Sequence, residues 1–276
     1  MKNIAAVIID TYENKKMASV AIDMTLRLPF VKNVYTFSDT PFYEGAIFTR
    51  IGKIFSNNDY GNIIFSLLPN VVTEEHFLVI QWDGFPLIPE NWQEQFLHYD
   101  YIGAPILWKE LGDQDWVGNG GFSLRSQKLL EAIKKLGIQI DLNDPTDQPE
   151  DQIICRKFKM QLESFNVQFA PIEIASQFSF QAGKLSNEIF GFHSADNFPS
   201  FFPENELLGF ADEILARMPQ PLILLRFLEN CLKTNKLDLF KFNELKALSD
   251  TDRWLLCSEG RPRMMTWLRF DPTSHI

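Results

Sequence analysis

Only three cysteines occur in 276 residues, and Cys155, Cys231 and Cys257 stand far apart with no C-x-x-C spacing. That excludes a zinc knuckle or a disulfide framework as the organising device, and the thiols are expected to be reduced. Positive charge is scarce as well. With 26 Lys and Arg against 36 Asp and Glu, the formal net charge is -10. A general nucleic-acid binder needs a basic face for phosphate, so nucleic acid is not an expected partner. No apolar run is long enough to span a bilayer: the run near the N-terminus extends only from Ile4 to Ile9, and no small-residue cleavage site follows it. A soluble, cytoplasmic protein is the expectation. Internal repeats and low-complexity tracts are missing too.

What is present is apolar and aromatic. Apolar residues make up 45% of the chain and aromatics 13%, with 25 Phe, enough for a sizeable folded core. "IAAVIID" is a continuous apolar run that ends in Asp10, the pattern of a strand buried on both faces. Met17, Val20, Ala21, Met24 and Leu28 follow near helical spacing and Pro29 closes them, and "VKNVYTFSD" reads as a second strand ending at Ser38 and Asp39. Strand, helix, strand in this order predicts a parallel α/β unit. Beyond it, residues 47–60 read as helical and "NIIFSLL" as a short strand. "EEHFLVIQWDG" reads as a buried strand, "PENWQEQFLHYD" as a short helix and "YIGAPI" as a strand. "QKLLEAIKKLG" reads as a helix with Gly137 as its C-cap, and "DQIICRKFKMQLESF" as another helix after the polar loop "DLNDPTDQPE". "VQFAPIEIASQFSF" is expected to hold late strands. From residue 204 the pattern turns helical, which divides the chain into an α/β domain, 1–203, and a helical appendage, 204–276.

Ligands of open α/β sheets bind at the carboxyl ends of the strands, and Asp10, Asp39 and Asp83 all stand at such ends. Asp83, followed by Gly84, is placed to meet a divalent cation and phosphate oxygens, although Asp-Gly is equally a turn dipeptide. Asn119, Gly120 and Gly121 give a backbone that can approach a flat polar ligand closely, or simply a tight loop; no Gly-Lys-Ser/Thr follows, so it is not a Walker loop. Glu150 and Asp151 begin a helix, where a carboxylate either caps or serves as a general base. His193 stands on an apolar stretch, as a core residue or as a metal partner.

The order of these parts resembles GT-A glycosyltransferases. The motifs "QWDG", "YDYIGAP", "GNGGFSLRS" and "PED" resemble an uncharacterised bacterial family of glycosyltransferase-like domains. A more distant likeness is to the β-1,4-galactosyltransferases. The resemblance implies a GT-A fold, a Rossmann-like, mostly parallel sheet flanked by helices, with a C-terminal helical extension. It implies transfer of a sugar, with inversion, from a nucleotide-sugar donor, UDP being the commonest nucleotide, to a saccharide or lipid-linked glycan acceptor in cell-surface polysaccharide assembly. Asp151 is then the catalytic base and Glu150 holds sugar hydroxyls. Gln81, Asp83, Asn119, Gly120 and Gly121 line the donor site, and Asp10, Thr11 and Tyr12 receive the nucleotide. Asp83 and His193 are the implied ligands of Mn2+ or Mg2+. One departure is Gln81, where the galactosyltransferases carry an acidic residue. Trp82, Trp108 and Trp116 flank the motifs and are candidates to stack on sugars. Arg253, Arg261, Arg263 and Arg269 among apolar residues suggest a peripheral membrane contact or solvated arginines. Two alternatives stand beside the transferase: another nucleotide-sugar enzyme such as a nucleotidyltransferase, although "IIDTYENKK" lacks its glycine-rich loop, and a non-catalytic glycan-binding or scaffolding protein.

Overall fold

A computed structural model describes residues 2–106, 116–143, 146, 148–183, 185–218 and 221–236. The chain divides into two compact units, Met1–Ser194 and one that begins at Ala195. The first is a mixed α/β unit with a mainly parallel central sheet. Its strands are β1 (Ile4–Ile9), β2 (Val31–Ser38), β3 (Ile47–Arg50), β4 (His76–Ile80), β5 (Gly84–Pro86), β6 (Tyr101–Gly103), β7 (Pro105–Ile106), β8 (Trp116–Val117), β9 (Ser123–Ser126), β10 (Ser179–Phe180) and β11 (Gly191–His193). The six-stranded sheet runs β3-β2-β1-β4-β9-β6. β3, β2, β1 and β4 are mutually parallel, and β9 is antiparallel to both of its neighbours.

The two-residue period of the strands assigns the faces. Ala5, Val7 and Ile9 of β1, Tyr35 and Phe37 of β2, and Phe77 and Val79 of β4 point into one core with Ile63, Ile64, Leu129, Leu130, Ile133, Ile153 and Ile154. Those partners come from the helices Asn57–Ser66 and Gln127–Lys135 and from the helical stretch that starts at Glu150. Ile4, Ala6 and Ile8, equally buried, are left to the other face. The helix Lys16–Leu26 packs on β1, β2 and β5. Phe96, Phe122, Phe178 and Phe190 form one wedge with Trp92: Phe122 stacks on Phe178 with centroids 4.9 Å apart, and Phe190 meets Trp92, Phe96, Phe122 and Phe178. Gly191 lies so close to this wedge that a Cβ there would come within 2.3 Å of the Phe122 ring. The wedge backs the small sheet β10-β11-β5, which carries His193.

Several stretches depart from the sequence expectation. Residues 47–60 begin as strand, because Tyr35–Ser38 offers Ile47–Arg50 a parallel ladder; the helix starts only at Asn57, where the Ser56 hydroxyl accepts the Asp59 N–H at 3.0 Å. "NIIFSLL" continues that helix into a short turn at Leu68, and its apolar run feeds the core on one helical side. "PENWQEQFLHYD" makes two 3-10 turns, Pro89–Asn91 and Glu94–His98. "IEIASQF" is a helix, Ile172–Phe178, and only Ser179–Phe180 beyond it is strand. β9 has no counterpart in the sequence reading.

The second unit contains the helices Phe198–Phe201, Glu204–Ala216 and Pro221–Lys233. Within it Asn230 donates to the Asp196 carbonyl at 2.7 Å, and Lys236 donates to the carbonyls of Pro199 and Phe202 at 2.6 and 2.7 Å. Trp108, Cys257 and the arginines at 253, 261, 263 and 269 lie outside the described residues. Among the described residues, no helix is long and apolar enough to cross a membrane.

Candidate functional site

The chain winds from β1 outward to β2 and β3, then returns to place β4 on the opposite flank of β1. At such a reversal the connections after two neighbouring parallel strands leave in opposite directions and open a crevice at the carboxyl ends. Asp10 follows β1 at that crevice, and Gln81 follows β4.

After β4 the chain turns at once. The Gln81 N–H donates to the Gly84 carbonyl at 2.8 Å and the Gly84 N–H returns to Gln81 at 3.0 Å, leaving Trp82 and Asp83 at the tip. β5 then runs antiparallel to β11 with Gly84 opposite His193. A Cβ on Gly84 would lie 2.7 Å from the His193 ring, so the glycine is needed for the close approach. The consequence is a cluster of three polar side chains. His193 Nε2 is 3.3 Å from Gln81 Oε1 and 3.8 Å from Asp83 Oδ1. Among the described residues no group of three or more His, Cys, Asp or Glu is placed to hold a metal ion.

The loop Asn119–Gly121 forms the other wall of this cluster. Asn119 takes a left-handed φ of 63°, which asparagine tolerates, and its Oδ1 accepts the Gly121 N–H at 3.1 Å. A Cβ on Gly121 would meet His193 Nε2 at 2.1 Å; one on Gly120 would meet Glu150 Oε1 at 2.0 Å. The loop is thus wedged between the imidazole on one side and the acidic pair on the other. Gly103 explains how it gets there, since a Cβ at 103 would fall 1.7 Å from the Gly118 carbonyl oxygen. Asp100 of the same motif is a structural hub: it accepts from Ser126 at 2.6 Å, Lys128 at 2.9 Å and the Gln168 N–H at 2.7 Å.

Glu150 and Asp151 open the helical stretch with both side chains buried. The stretch continues as a π-helical turn, Ile153–Lys157, in which the Phe158 N–H reaches the Ile153 carbonyl at 3.0 Å. Such one-turn insertions recur at functional sites. Asp151 accepts the Gln152 N–H at 2.8 Å and the Gly120 N–H at 3.2 Å. Burial, and then the charge of Glu150, push its carboxyl up to about 6; the Gln152 N–H, Arg125 and the backbone at Asn119 oppose the rise. Glu150 pairs with Arg125 at 2.6 Å, and that guanidinium is fully buried. Arg125 also donates to the Gly120 carbonyl at 3.2 Å and to Ser123 at 2.9 Å, and sits 5.3 Å over the Tyr101 ring. The Tyr60 hydroxyl, buried at the end of a partly exposed residue, is pushed upward by burial and then by Glu150.

Gln81, Asp83, Asn119, Gly120, Gly121, Glu150, Asp151 and His193 therefore form one connected set. Asp10, Thr11 and Tyr12 belong to a neighbouring one. Asp10 accepts the Tyr12 N–H at 2.8 Å, and the Thr11 carbonyl accepts Lys53 at 2.8 Å. Lys53 and Lys15 hold Asp39 at 2.7 and 3.0 Å, Lys53 foremost, and keep its carboxyl well below the usual range. Trp116 stacks under Arg156 at 5.5 Å and Trp82 occupies the turn. Arg125, Tyr60, Lys15 and Lys53 were not singled out from the sequence. An arginine inside "GFSLRS", just before an amphipathic helix in an acidic chain, is the signal for the first.

Residues 66–193 match the model of a protein family of unknown function, DUF5672, a span that starts before β4 and ends on His193. No curated protein matches the chain. Solved structures similar to it include a glycosyltransferase involved in the glycosylation of the major capsid of PBCV-1, with TM-score 0.46, 11% identity, and 69% of this chain and 92% of that one covered. TarS 1-349 of S. aureus is similar with TM-score 0.40 and 12% identity over 84% and 72% of the two chains. The glycosyltransferase GlyE of Streptococcus pneumoniae is similar with TM-score 0.42 and 14% identity over 79% and 52%.

Proposed function

We propose that the protein is a GT-A glycosyltransferase that moves a sugar from a nucleotide-sugar donor to a saccharide hydroxyl with inversion. The observation that carries this is Asp151: a buried carboxylate whose proton affinity is raised to about 6, fixed by the Gly120 N–H on a loop whose other side faces the Gln81, Asp83 and His193 cluster. A base that titrates near neutrality is matched to deprotonating an alcohol as it attacks. In this reading the nucleotide lies in the crevice between β1 and β4, near Asp10, Thr11 and Tyr12. The acceptor oxygen bonds to the anomeric carbon while Asp151 takes its proton. The bond from that carbon to the diphosphate oxygen breaks, and its electron pair leaves with the nucleoside diphosphate. One base and one displacement invert the centre.

Glu150, held by Arg125, orients sugar hydroxyls and keeps a charge beside Asp151. UDP is the nucleotide of this proposal, and a cell-surface or lipid-linked glycan its acceptor. The test is release of nucleoside diphosphate from a panel of nucleotide sugars with saccharide acceptors, for the parent and Asp151→Asn. The variant is expected to bind donor with parental affinity and to lose at least ~100-fold in turnover. Equal turnover by the two proteins would remove Asp151 from the chemistry and the reading with it.

A further inference from the structure

The His193 ring carries information about what its cluster binds. A histidine that ligates a metal through Nε2 keeps its proton on Nδ1 and donates it to a carboxylate, a carbonyl or water. Here the group opposite Nδ1 is the side-chain amide of Asn119, 2.9 Å away. The orientation of that amide is set from the backbone, because Oδ1 accepts the Gly121 N–H at 3.1 Å. The atom facing His193 is therefore Nδ2, which also donates to Gln181. An NH2 group can only donate, so Nδ1 must accept. The neutral ring then bears its proton on Nε2, the nitrogen that faces Gln81 Oε1 at 3.3 Å and Asp83 Oδ1 at 3.8 Å. The lone pair that a cation at Asp83 would need is occupied.

The rest of the donor set agrees. Among the described residues, one carboxylate, one amide and one protonated imidazole nitrogen make a poor cage for a hard dication, which is bound chiefly by several oxygens of high charge. The same three groups, an acceptor, a mixed donor and acceptor, and a donor, match the alternating hydroxyls of a sugar ring.

We infer that Gln81, Asp83 and His193 are a metal-free recognition site for sugar hydroxyls, with Asn119 as the positioning residue that holds His193 in its Nε2–H form. This rests on the transferase reading for the identity of the ligand, but not for the state of the ring.

Two measurements decide it. The first is the 15N and 1H NMR correlation pattern of the His193 ring at about pH 8.5, above the ordinary imidazole titration range, with added Mn2+ as a paramagnetic probe. The Nε2–H pattern, without selective broadening by Mn2+ at equimolar level, is expected. Asn119→Asp places a carboxylate on Nδ1, which should move the proton there and make the ring broaden with Mn2+. An Nδ1–H pattern in the parent, or selective broadening of its His193 signals, overturns the inference. The second is calorimetric binding of a nucleotide sugar and of the bare nucleoside diphosphate, in EDTA and in Mn2+. EDTA should leave both affinities within about twofold, and Asp83→Asn should weaken the nucleotide sugar by roughly tenfold while sparing the bare nucleotide. Loss of both ligands in EDTA, or equal weakening of both by Asp83→Asn, also overturns it. If neither ligand binds under any condition, the donor assignment of the transferase reading and the sugar-hydroxyl assignment both fall, while the ring measurement still decides the metal question.

Discussion

If Asp151 is held where its charged form is disfavoured, the fold must be less stable for it, and Asp151→Asn should show by how much. A rise from 3.8 to about 6 in the folded protein corresponds to on the order of 3 kcal/mol. The sign follows from linkage: the folded state holds this proton more tightly than the unfolded chain does, so stability is highest below the unfolded value. It declines as pH rises between the two values, and the whole cost is present above the folded one. Asparagine carries no charge at any pH and escapes this cost. Its carbonyl oxygen keeps the bond from the Gln152 N–H, but its NH2 group then faces the Gly120 N–H, a mismatch of about 1 kcal/mol. The variant should therefore be about 1 kcal/mol less stable than the parent in acid and roughly 2 kcal/mol more stable at and above neutrality, with the two curves crossing between. Urea unfolding followed by circular dichroism, at a series of pH values for both proteins, measures the difference directly. A difference that stays constant with pH, or a variant weaker than the parent in alkali, would refute the reasoning.

In the proposed mechanism the same carboxylate sets the pH dependence of turnover: the rate should rise with pH through about 6 and level off above it, and initial-rate profiles should show that limb in the parent. Arg125→Leu strands Glu150 in a buried place and should cost about 3–5 kcal/mol in urea unfolding, with much of that recovered in the Arg125→Leu, Glu150→Leu double variant. Gly120→Ala drives a methyl into Glu150 and should lower turnover at least tenfold while the circular dichroism spectrum is kept; parental kinetics would show that the loop yields freely.

The parts of the fold visible in the sequence were those with a single physical cause. β1 and β4 are buried on both faces, so each reads as an unbroken apolar run, and the helix Gln127–Lys135 is amphipathic with Gly137 at a positive φ of 65° beyond its end. Stretches whose apolar run fits two periods were misread. "NIIFSLL" reads as a buried strand or a buried helix, and the serine cap at Ser56, six residues upstream, decides for the helix. "IEIASQF" alternates like a strand, yet its side chains belong to a helix that presents Phe178 to the phenylalanine wedge. β9 was invisible because Arg125, Ser123 and Ser126 give a central strand a polar sequence, and two of their partners, Glu150 and Asp100, are remote in the chain. At the site, the residue types and their order were legible. That the loop at 119–121 joins the acidic pair to the Gln81 turn was not, since it depends on contacts through glycines that have no side chain to advertise them.

The loop Asn119–Gly121 is a party wall between two groups of side chains. Asp151 leans on it from one side through the Gly120 N–H, and His193 from the other through Asn119. A change to the side chains packed beside His193 should therefore register in the proton affinity of Asp151, and the reverse. Substitutions on opposite sides should fail to add, because each moves the backbone that the other leans on.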